Sequence, residues 1–295
     1  MRVVSLVPSA TEIVAALGAE ALLVGISHEC DYPPSVQHLP RVTTTSVDVE
    51  ATGGDIDAEV RRLQQAGQPV IAIDEQQLHR LAPDLILTQD LCQVCAVSDG
   101  QVHRLSARLG SSRVVSLAAQ DLEGIWRDVG VVGAALGREN KARELTSRLQ
   151  RRLSRLGRSS SQTRPRVLCI EWLNPLYLAG HWVPQLVTSA GGADIGAVPG
   201  SQSRRAGWSE LLGLEPTCIL IMLCGFGVER SRAELELVED TDALDLLARV
   251  PTWILDGNAY TSRPGPRVVD GARLMHAAFR GESVTGLEPW PAGVC

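Results

Sequence analysis

The fold class is indicated by residues 2–18, which read RVVSLVPSATEIVAALG. The apolar run 2–7 has the length and the β-branched content of a buried strand, and a proline closes it. Residues 9–17 carry apolar side chains at helical spacing, with Ser9 and Glu12 placed to cap the helix start and a glycine placed to end it. A strand followed directly by a helix is half of a parallel α/β unit.

The same alternation continues along the chain and predicts an α/β fold with central, mostly parallel sheets. Further strands are predicted at 22–26, 70–73, 84–88, 113–117, 166–170, 217–223 and 252–256. Further helices are predicted at 55–66, 75–81, 99–109, 121–135, 183–190, 208–213, 231–248 and 267–279. Ligands of such sheets bind at the loops that leave the carboxyl ends of the strands.

Two similar lobes are favoured over one large sheet, because the strand–helix pattern of the first residues returns from Arg166. The division is an N-terminal α/β lobe at 1–137, a connecting helix at 138–157 and a C-terminal α/β lobe at 158–295. The connecting segment is highly charged and carries a narrow leucine stripe, which fits a plain surface helix equally well.

Composition excludes several classes of function. The 295 residues include 34 acidic and 28 basic side chains, so a net charge of −6 argues against a broad nucleic-acid-binding face. No apolar run approaches the ~18 residues of a membrane helix, so membrane insertion is not expected. No export signal is visible at the first residues, which indicates a cytoplasmic protein unless a signal was trimmed. Phosphate-binding glycine motifs and hydrolase motifs are also absent.

Seven cysteines are many for a reduced compartment. Cys169 and Cys218 lie inside apolar strand runs and are interpreted as core residues. Cys295 ends the sequence and is given no role. Four cysteines remain for chemistry.

Cys30, Cys92, Cys95 and Cys224 each follow a predicted strand, so all four are expected to converge on a cleft between the lobes. Four thiolates suit an iron–sulfur cluster or Zn²⁺. One close pair with two distant single cysteines favours a cluster over a local zinc site, and the expected type of cluster is [4Fe–4S]. A redox-active CxxC pair and four unrelated loop cysteines are the alternatives.

Other polar and aromatic side chains collect in the same predicted loops. They are His28, Glu29, Glu171, Trp172, His181, Trp182, Phe226, Asn258, Tyr260, Arg263 and Arg267. Tryptophans in loops favour packing against a ligand, and the two arginines around a Pro-Gly-Pro turn favour an anionic ligand group. Each of these residues has a plain structural alternative, such as a satisfied histidine or an arginine that only begins a helix.

Two sets of motifs carry a resemblance to a known family. Residues 5–13 (SLVPSATEI) and 83–87 (PDLIL) resemble periplasmic vitamin B12-binding proteins and their iron–siderophore relatives. These are class III, TroA-like substrate-binding components of ABC importers. Closer matches to a cysteine-containing subfamily labelled cobalamin-binding are HECDYP (28–33), DLCQVC (90–95), GHWVP (180–184), CGF (224–226) and DGNAY (256–260).

The resemblance implies two lobes bridged by one long helix, with a corrinoid or metal chelate held between them. Three functions therefore stay open. The first is a cytoplasmic protein with an iron–sulfur cluster on the four cysteines, with His28, Trp172, Trp182 and Phe226 around it and a possible redox protein partner. The second is a binding protein for cobalamin or another small-molecule metal chelate. The third is a chelatase-like or redox enzyme, so enzyme status is uncertain.

Overall fold

A computed structural model describes residues 1–90, 112–157 and 164–291. Its contacts divide the chain into two units. The first comprises Met1–Ala51, Asp55–Ala119 and Glu123–Ser147, and the second comprises Thr52–Gly54, Gln120–Leu122 and Arg148–Cys295. The last boundary between the two units therefore falls between Ser147 and Arg148, inside a helix.

A parallel sheet forms the centre of the first unit. The elements up to the division are β1 (Val3–Ser5), α1 (Pro8–Ala16), β2 (Leu23–Ile26), β3 (Thr43–Thr45), α2 (Gly53–Gln65), β4 (Ile71–Ile73), α3 (Glu75–Leu81), β5 (Leu85–Gln89), β6 (Arg113–Leu117), α4 (Leu122–Ala135) and α5 (Glu139–Leu156). The sheet has the order β2-β1-β5-β6, and every neighbouring pair is parallel. β3 and β4 form a separate antiparallel pair.

A mixed sheet forms the centre of the second unit. Its elements are β7 (Arg166–Leu173), β8 (Leu176–Leu178), α6 (Val183–Ala190), β9 (Ala193–Asp194), β10 (Arg204–Arg205), α7 (Trp208–Leu212), β11 (Cys218–Ile221), α8 (Val228–Glu236), α9 (Thr241–Arg249), β12 (Thr252–Leu255), α10 (Gly257–Tyr260), α11 (Val268–Ala278) and β13 (Leu287–Trp290). The order is β10-β8-β7-β11-β12-β13, with β9 also paired to β7. The β7, β11 and β12 strands are parallel, so their carboxyl ends share one edge.

The predicted α/β fold with central parallel sheets is confirmed, but the start of the first helix was predicted wrongly. α1 begins at Pro8, and its N-cap Val7 makes no side-chain cap hydrogen bond. Proline at the first helical position has a preset φ and lacks the N–H that would need a cap. Ser9 therefore lies inside the helix, where its hydroxyl is 3.5 Å from Oε1 of Gln89.

The single helix predicted over 231–248 is also wrong, because two helices occupy this region. α8 ends at Glu236 and α9 begins at Thr241. The carboxylate of Asp240 accepts hydrogen bonds from the backbone N–H groups of Asp242 and Ala243, which caps the second helix.

Short strands without an apolar period were missed, namely β3, β8, β9, β10 and β13. The predicted helix at 99–109 lies outside the described residues.

Burial follows the predicted pattern where the sequence is strongly apolar. Cys169 and Cys218 are 2% and 4% exposed, so their prediction as core residues is confirmed. Leu145, Leu149 and Leu153 of α5 are buried too, as the leucine stripe predicted. Within the described residues, no helix is long and apolar enough to cross a membrane.

Candidate functional site

In the first unit, polar side chains follow the carboxyl ends of the parallel strands. Ser5 ends β1, Ser27 and His28 follow β2, and Gln89 ends β5. β1 pairs with both β2 and β5, so these positions share one edge of the sheet. This edge is where open α/β sheets bind their ligands.

Cys30 ends a chain of hydrogen bonds at this edge. The Ser5 hydroxyl donates to the Val7 carbonyl oxygen at 2.9 Å, and the Thr11 hydroxyl donates to Ser5 Oγ at 2.8 Å. The Cys30 Sγ atom lies 3.1 Å from Thr11 Oγ1, and either atom could be the donor of this hydrogen bond. Cys30 is only 1% exposed. The described conformation therefore holds Cys30 as a buried side chain in contact with the Thr11 hydroxyl.

His28 is oriented by one hydroxyl group. Its Nδ1 atom lies 2.7 Å from Thr43 Oγ1, and its backbone N–H donates to the same oxygen at 3.0 Å. The Thr43 hydroxyl in turn donates to Ser27 Oγ at 3.1 Å. Burial and the nearby charge of Arg41 lower the pKa of His28, which favours its neutral imidazole form.

Arg41 fixes the loop that carries His28 and Cys30. Its Nη1 atom donates to the carbonyl oxygens of Ser27 at 3.0 Å and Cys30 at 2.6 Å. The backbone N–H of Glu29 donates to Ser27 Oγ at 3.3 Å, while the Glu29 side chain is exposed. Because its ends are held, this short loop presents its side chains in a defined arrangement.

In the second unit, an aromatic pair lies at the carboxyl ends of β7 and β11. The ring centroids of Trp172 and Phe226 are 5.2 Å apart, and the Arg230 guanidinium lies 4.6 Å from the Phe226 centroid. The indole Nε1 donates to the carbonyl oxygens of Gly53 at 3.2 Å and Asn174 at 3.0 Å. Trp172 was expected in a loop, but its position in the bulged end of β7 corrects this.

Cys224 lies three residues after the end of β11 and is half-buried. Its backbone N–H donates to the Glu171 carbonyl oxygen at 3.0 Å, which ties the loop to the end of β7. The side chain of Glu171 is half-buried as well. Cys224 and Cys30 therefore each lie at the predicted strand end of their own unit.

His181 and Trp182 precede α6 and have different environments. Trp182 is 4% exposed and donates from Nε1 to the Thr261 carbonyl oxygen at 2.8 Å, so it supports the loop after β12. His181 has a left-handed backbone with φ of 54°, and its buried Nδ1 has no hydrogen-bond partner within the described residues. Burial lowers the pKa of His181.

The residues after β12 form a closed turn. Asp256 Oδ1 accepts the backbone N–H of Ala259 at 2.8 Å and caps α10. Arg263, a candidate for an anionic ligand group, is 8% exposed and donates to Asn258 Oδ1 at 2.7 Å. Arg267 precedes α11, and its guanidinium lies 5.8 Å from the Tyr260 ring centroid. These contacts give four of the candidate residues structural partners, namely Asn258, Tyr260, Arg263 and Arg267.

The four-cysteine site cannot be assembled from the described chain, since Cys92 and Cys95 lie outside it. Within residues 1–90, 112–157 and 164–291, no group of three or more His, Cys, Asp and Glu side chains is arranged to hold a metal ion. The iron–sulfur cluster and the zinc alternative stay predictions.

Sequence reasoning missed the hydroxyls of Ser5, Thr11, Ser27 and Thr43, and it missed Arg41. A usable signal was present, because Ser5 and Ser27 stand at the ends of apolar strands, where polar residues gather at a binding edge. The pairing of Thr43 with His28 depends on a β3 strand that the pattern did not predict.

Solved structures share this fold at low sequence identity. A periplasmic heme-binding protein from Pseudomonas aeruginosa is 22% identical, with a TM-score of 0.74 and coverage of 98% of this chain and 97% of that one. The periplasmic vitamin B12-binding protein of Vibrio cholerae is 20% identical, with a TM-score of 0.63 and coverage of 95% and 96%. An Fe³⁺-hydroxamate transport protein from Saccharomonospora viridis is 16% identical, with a TM-score of 0.66 and coverage of 94% and 92%.

No curated protein matches the chain significantly. The family profile described as periplasmic binding protein matches residues 3–253. This match covers most of the sequence, including both sheets up to β12. The chain belongs to the periplasmic binding protein family.

Proposed function

We propose that the protein binds a metal-centred macrocycle, either a corrinoid or a porphyrin, through the loops at the carboxyl ends of its strands. The observation that carries the proposal is the half-buried indole of Trp172 at such a loop, which is backed by the buried ring of Phe226 and by Arg230. Flat aromatic side chains pack well against a large ring ligand, and a guanidinium pairs with the carboxylates that porphyrins carry. The names of the heme-binding and vitamin B12-binding structures support the same ligand class.

The test is a titration of the purified protein with hemin, aquocobalamin and aquocobinamide. Calorimetry and visible absorbance should show saturable binding of at least one of them, with one ligand per chain. Bovine serum albumin sets the level of non-specific hemin binding. The proposal is overturned if none of the three ligands gives heat or a spectral change above that level at high micromolar concentration.

A second proposal keeps the iron–sulfur cluster on Cys30, Cys92, Cys95 and Cys224, in a cytoplasmic protein. It is supported by the positions of Cys30 and Cys224, each of which follows the carboxyl end of a parallel strand. Cluster binding requires the Cys30 thiol to lose its proton and turn away from the Thr11 hydroxyl. The buried state of Cys30 therefore favours the macrocycle proposal over this one.

Anaerobic purification separates the two proposals. A cluster predicts a brown protein with equal amounts of iron and acid-labile sulfide, and Cys224→Ser should lower both. Cys218→Ser is the matched control, because Cys218 is a buried core residue of β11, the strand that precedes Cys224. Colourless protein without iron after reconstitution would overturn the cluster proposal and leave the macrocycle proposal intact.

A further inference from the structure

The second unit buries one carboxylate close to Trp172 and Phe226. Glu234 of α8 is only 8% exposed. Burial of an ionised carboxylate is costly unless the group is paired and hydrogen-bonded. The two carboxylate oxygens of Glu234 have different partners, and each partner leads to one member of the aromatic pair.

One oxygen of Glu234 is connected to Trp172 through Gly53. Glu234 Oε2 accepts the backbone N–H of Gly53 at 3.0 Å, and the Gly53 carbonyl oxygen accepts the indole N–H of Trp172 at 3.2 Å. Residues Thr52–Gly54 belong to the second unit, as Trp172 and Glu234 do. Because Gly53 begins α2, its N–H has no partner inside that helix, and a carboxylate is a favourable acceptor there.

The close approach of these groups explains the glycine at position 53. A Cβ atom there would lie 3.0 Å from Glu234 Oε2 and 3.4 Å from Trp172 Cζ2. The backbone of Gly53 therefore lies against both the carboxylate and the edge of the indole. A side chain at this position would push at least one of the two groups away.

The other oxygen of Glu234 is connected to Phe226 through Arg230. Glu234 Oε1 lies 3.6 Å from Arg230 Nε, and the guanidinium lies 4.6 Å from the Phe226 centroid. Since the Phe226 and Trp172 rings are themselves in contact, these residues form a closed ring of contacts. Glu234 is the member of this ring that is linked to both aromatic side chains.

We propose that Glu234 is a positioning residue of the ligand site, which fixes the plane of the Trp172 indole through Gly53 and keeps Arg230 on Phe226. The indole N–H also donates to the Asn174 carbonyl oxygen at 3.0 Å. Loss of the Glu234 carboxylate should therefore let the indole move without releasing it. This inference rests on the proposed function and adds to it the residue that orders the aromatic surface before a ligand binds.

The first arm of the test needs no ligand. The chain contains six tryptophans, and in isotope-labelled protein Trp172→Phe identifies the indole N–H signal of Trp172 by its loss. Glu234→Ala should shift this signal and speed the exchange of its proton with solvent by about tenfold. Glu234→Gln keeps an oxygen acceptor for Gly53 and should restore most of both properties.

Two controls separate positioning from a general loss of structure. Glu236→Ala changes an exposed carboxylate on the same helix and should leave the Trp172 signal unchanged. The indole N–H of Trp182, which donates to a carbonyl oxygen elsewhere in the second unit, should keep its signal and its exchange rate in all variants. If Glu234→Ala does not fold, Gly53→Ala replaces it, because the added Cβ should also displace the Trp172 signal.

The second arm measures hemin binding in a double-mutant cycle. Glu234→Ala should weaken hemin by about tenfold in a chain that has Trp172. In the Trp172→Leu background the same change should have little effect, since the indole that it positions is gone. Glu234→Gln should bind hemin more tightly than Glu234→Ala. If the protein binds aquocobinamide but not hemin, the same cycle is measured with aquocobinamide.

The outcomes separate this inference from the proposed function. If the wild type binds none of the ligands, the proposed function fails, while the Trp172 signal still reports whether Glu234 orders the indole. An unchanged Trp172 signal in Glu234→Ala overturns the positioning role. Equal changes of the Trp172 and Trp182 signals, or equal losses of hemin affinity in both backgrounds, overturn it as well.

Discussion

The ring planes of Trp172 and Phe226 are inclined by 45°, with their centroids 5.2 Å apart. Trp172 belongs to the end of β7, and Phe226 lies in the loop that follows the neighbouring parallel strand β11. An aromatic pair at this distance contributes about 0.5–1.5 kcal/mol beyond its burial. Arg230 covers Phe226 from the next helix, which orders the pair before a ligand arrives and lowers the entropic cost of binding.

The first prediction concerns this ring pair. Trp172→Leu should weaken macrocycle binding about tenfold, because it removes aromatic contact worth about 1.4 kcal/mol. Trp172→Phe keeps a ring, loses the indole hydrogen bonds and should weaken binding less. Titration by absorbance measures both effects. Trp126→Phe on α4 is the control and should bind like the wild type, and equal affinity for Trp172→Leu would exclude a contact of Trp172 with the ligand.

The second prediction concerns the buried thiol. Thr11→Val removes the hydroxyl that bonds both the Cys30 thiol and Ser5, so the free energy of unfolding should fall by about 1–3 kcal/mol. Cys30→Ser keeps a donor of similar geometry and should change the free energy of unfolding by less than Thr11→Val does. Urea unfolding followed by circular dichroism measures both variants. A larger loss for Cys30→Ser than for Thr11→Val would contradict the assigned chain of hydrogen bonds.

The third prediction concerns Gly257, which begins α10. A Cβ atom at this position would lie 2.2 Å from the Leu223 carbonyl oxygen, and backbone there cannot move aside. Gly257→Ala should therefore destabilise the protein by about 3 kcal/mol or more. Gly227→Ala is the matched control, because its nearest neighbour would be 3.9 Å away. Thermal unfolding compares the two, and similar melting temperatures would disprove the close approach.

The fourth prediction concerns pH. Burial raises the pKa of Asp128 to about 6, although the backbone N–H groups of Ala118 and Ala119 donate to its carboxylate. An unfolded aspartate has a pKa of about 3.9. The folded state therefore binds more protons between these values, and stability should fall as the pH rises from about 4 to about 6.

Asp128→Asn should reduce this fall by up to about 3 kcal/mol, since an amide does not ionise. Burial also raises the pKa of Asp194 to about 6, so part of the slope should remain. Urea unfolding at a series of pH values measures the slope. An unchanged slope in Asp128→Asn would refute the assignment.

The sequence was sufficient for the fold because the apolar runs are long and separated by clear helical periods. The strand at 113–117 was predicted residue for residue, and α5 begins and ends within one residue of the predicted segment. The split between α8 and α9 was missed because Asp240 reads as one more polar residue on a helix surface. Its role as a cap becomes visible only with the backbone geometry.

The candidate site was predicted less completely. Residue type and position at a strand end identified His28, Cys30, Trp172 and Cys224, but they could not show the direction of each side chain. The Cys30 thiol is turned to Thr11, and this depends on the packing of α1 against β1. Likewise, the indole N–H of Trp182 donates to the carbonyl oxygen of Thr261, which lies 79 residues further along the chain. No local pattern in the sequence shows such a contact.

The contact of Thr43 with both the backbone and the ring of His28 has a consequence for evolution. A valine at position 43 would leave a histidine ring at position 28 without its hydroxyl partner, and a hydroxyl at 43 with no histidine would keep only the backbone hydrogen bond. We therefore expect selection to act on the two positions jointly. In related sequences, histidine at 28 should occur with threonine or serine at 43 more often than the separate frequencies of these residues would give.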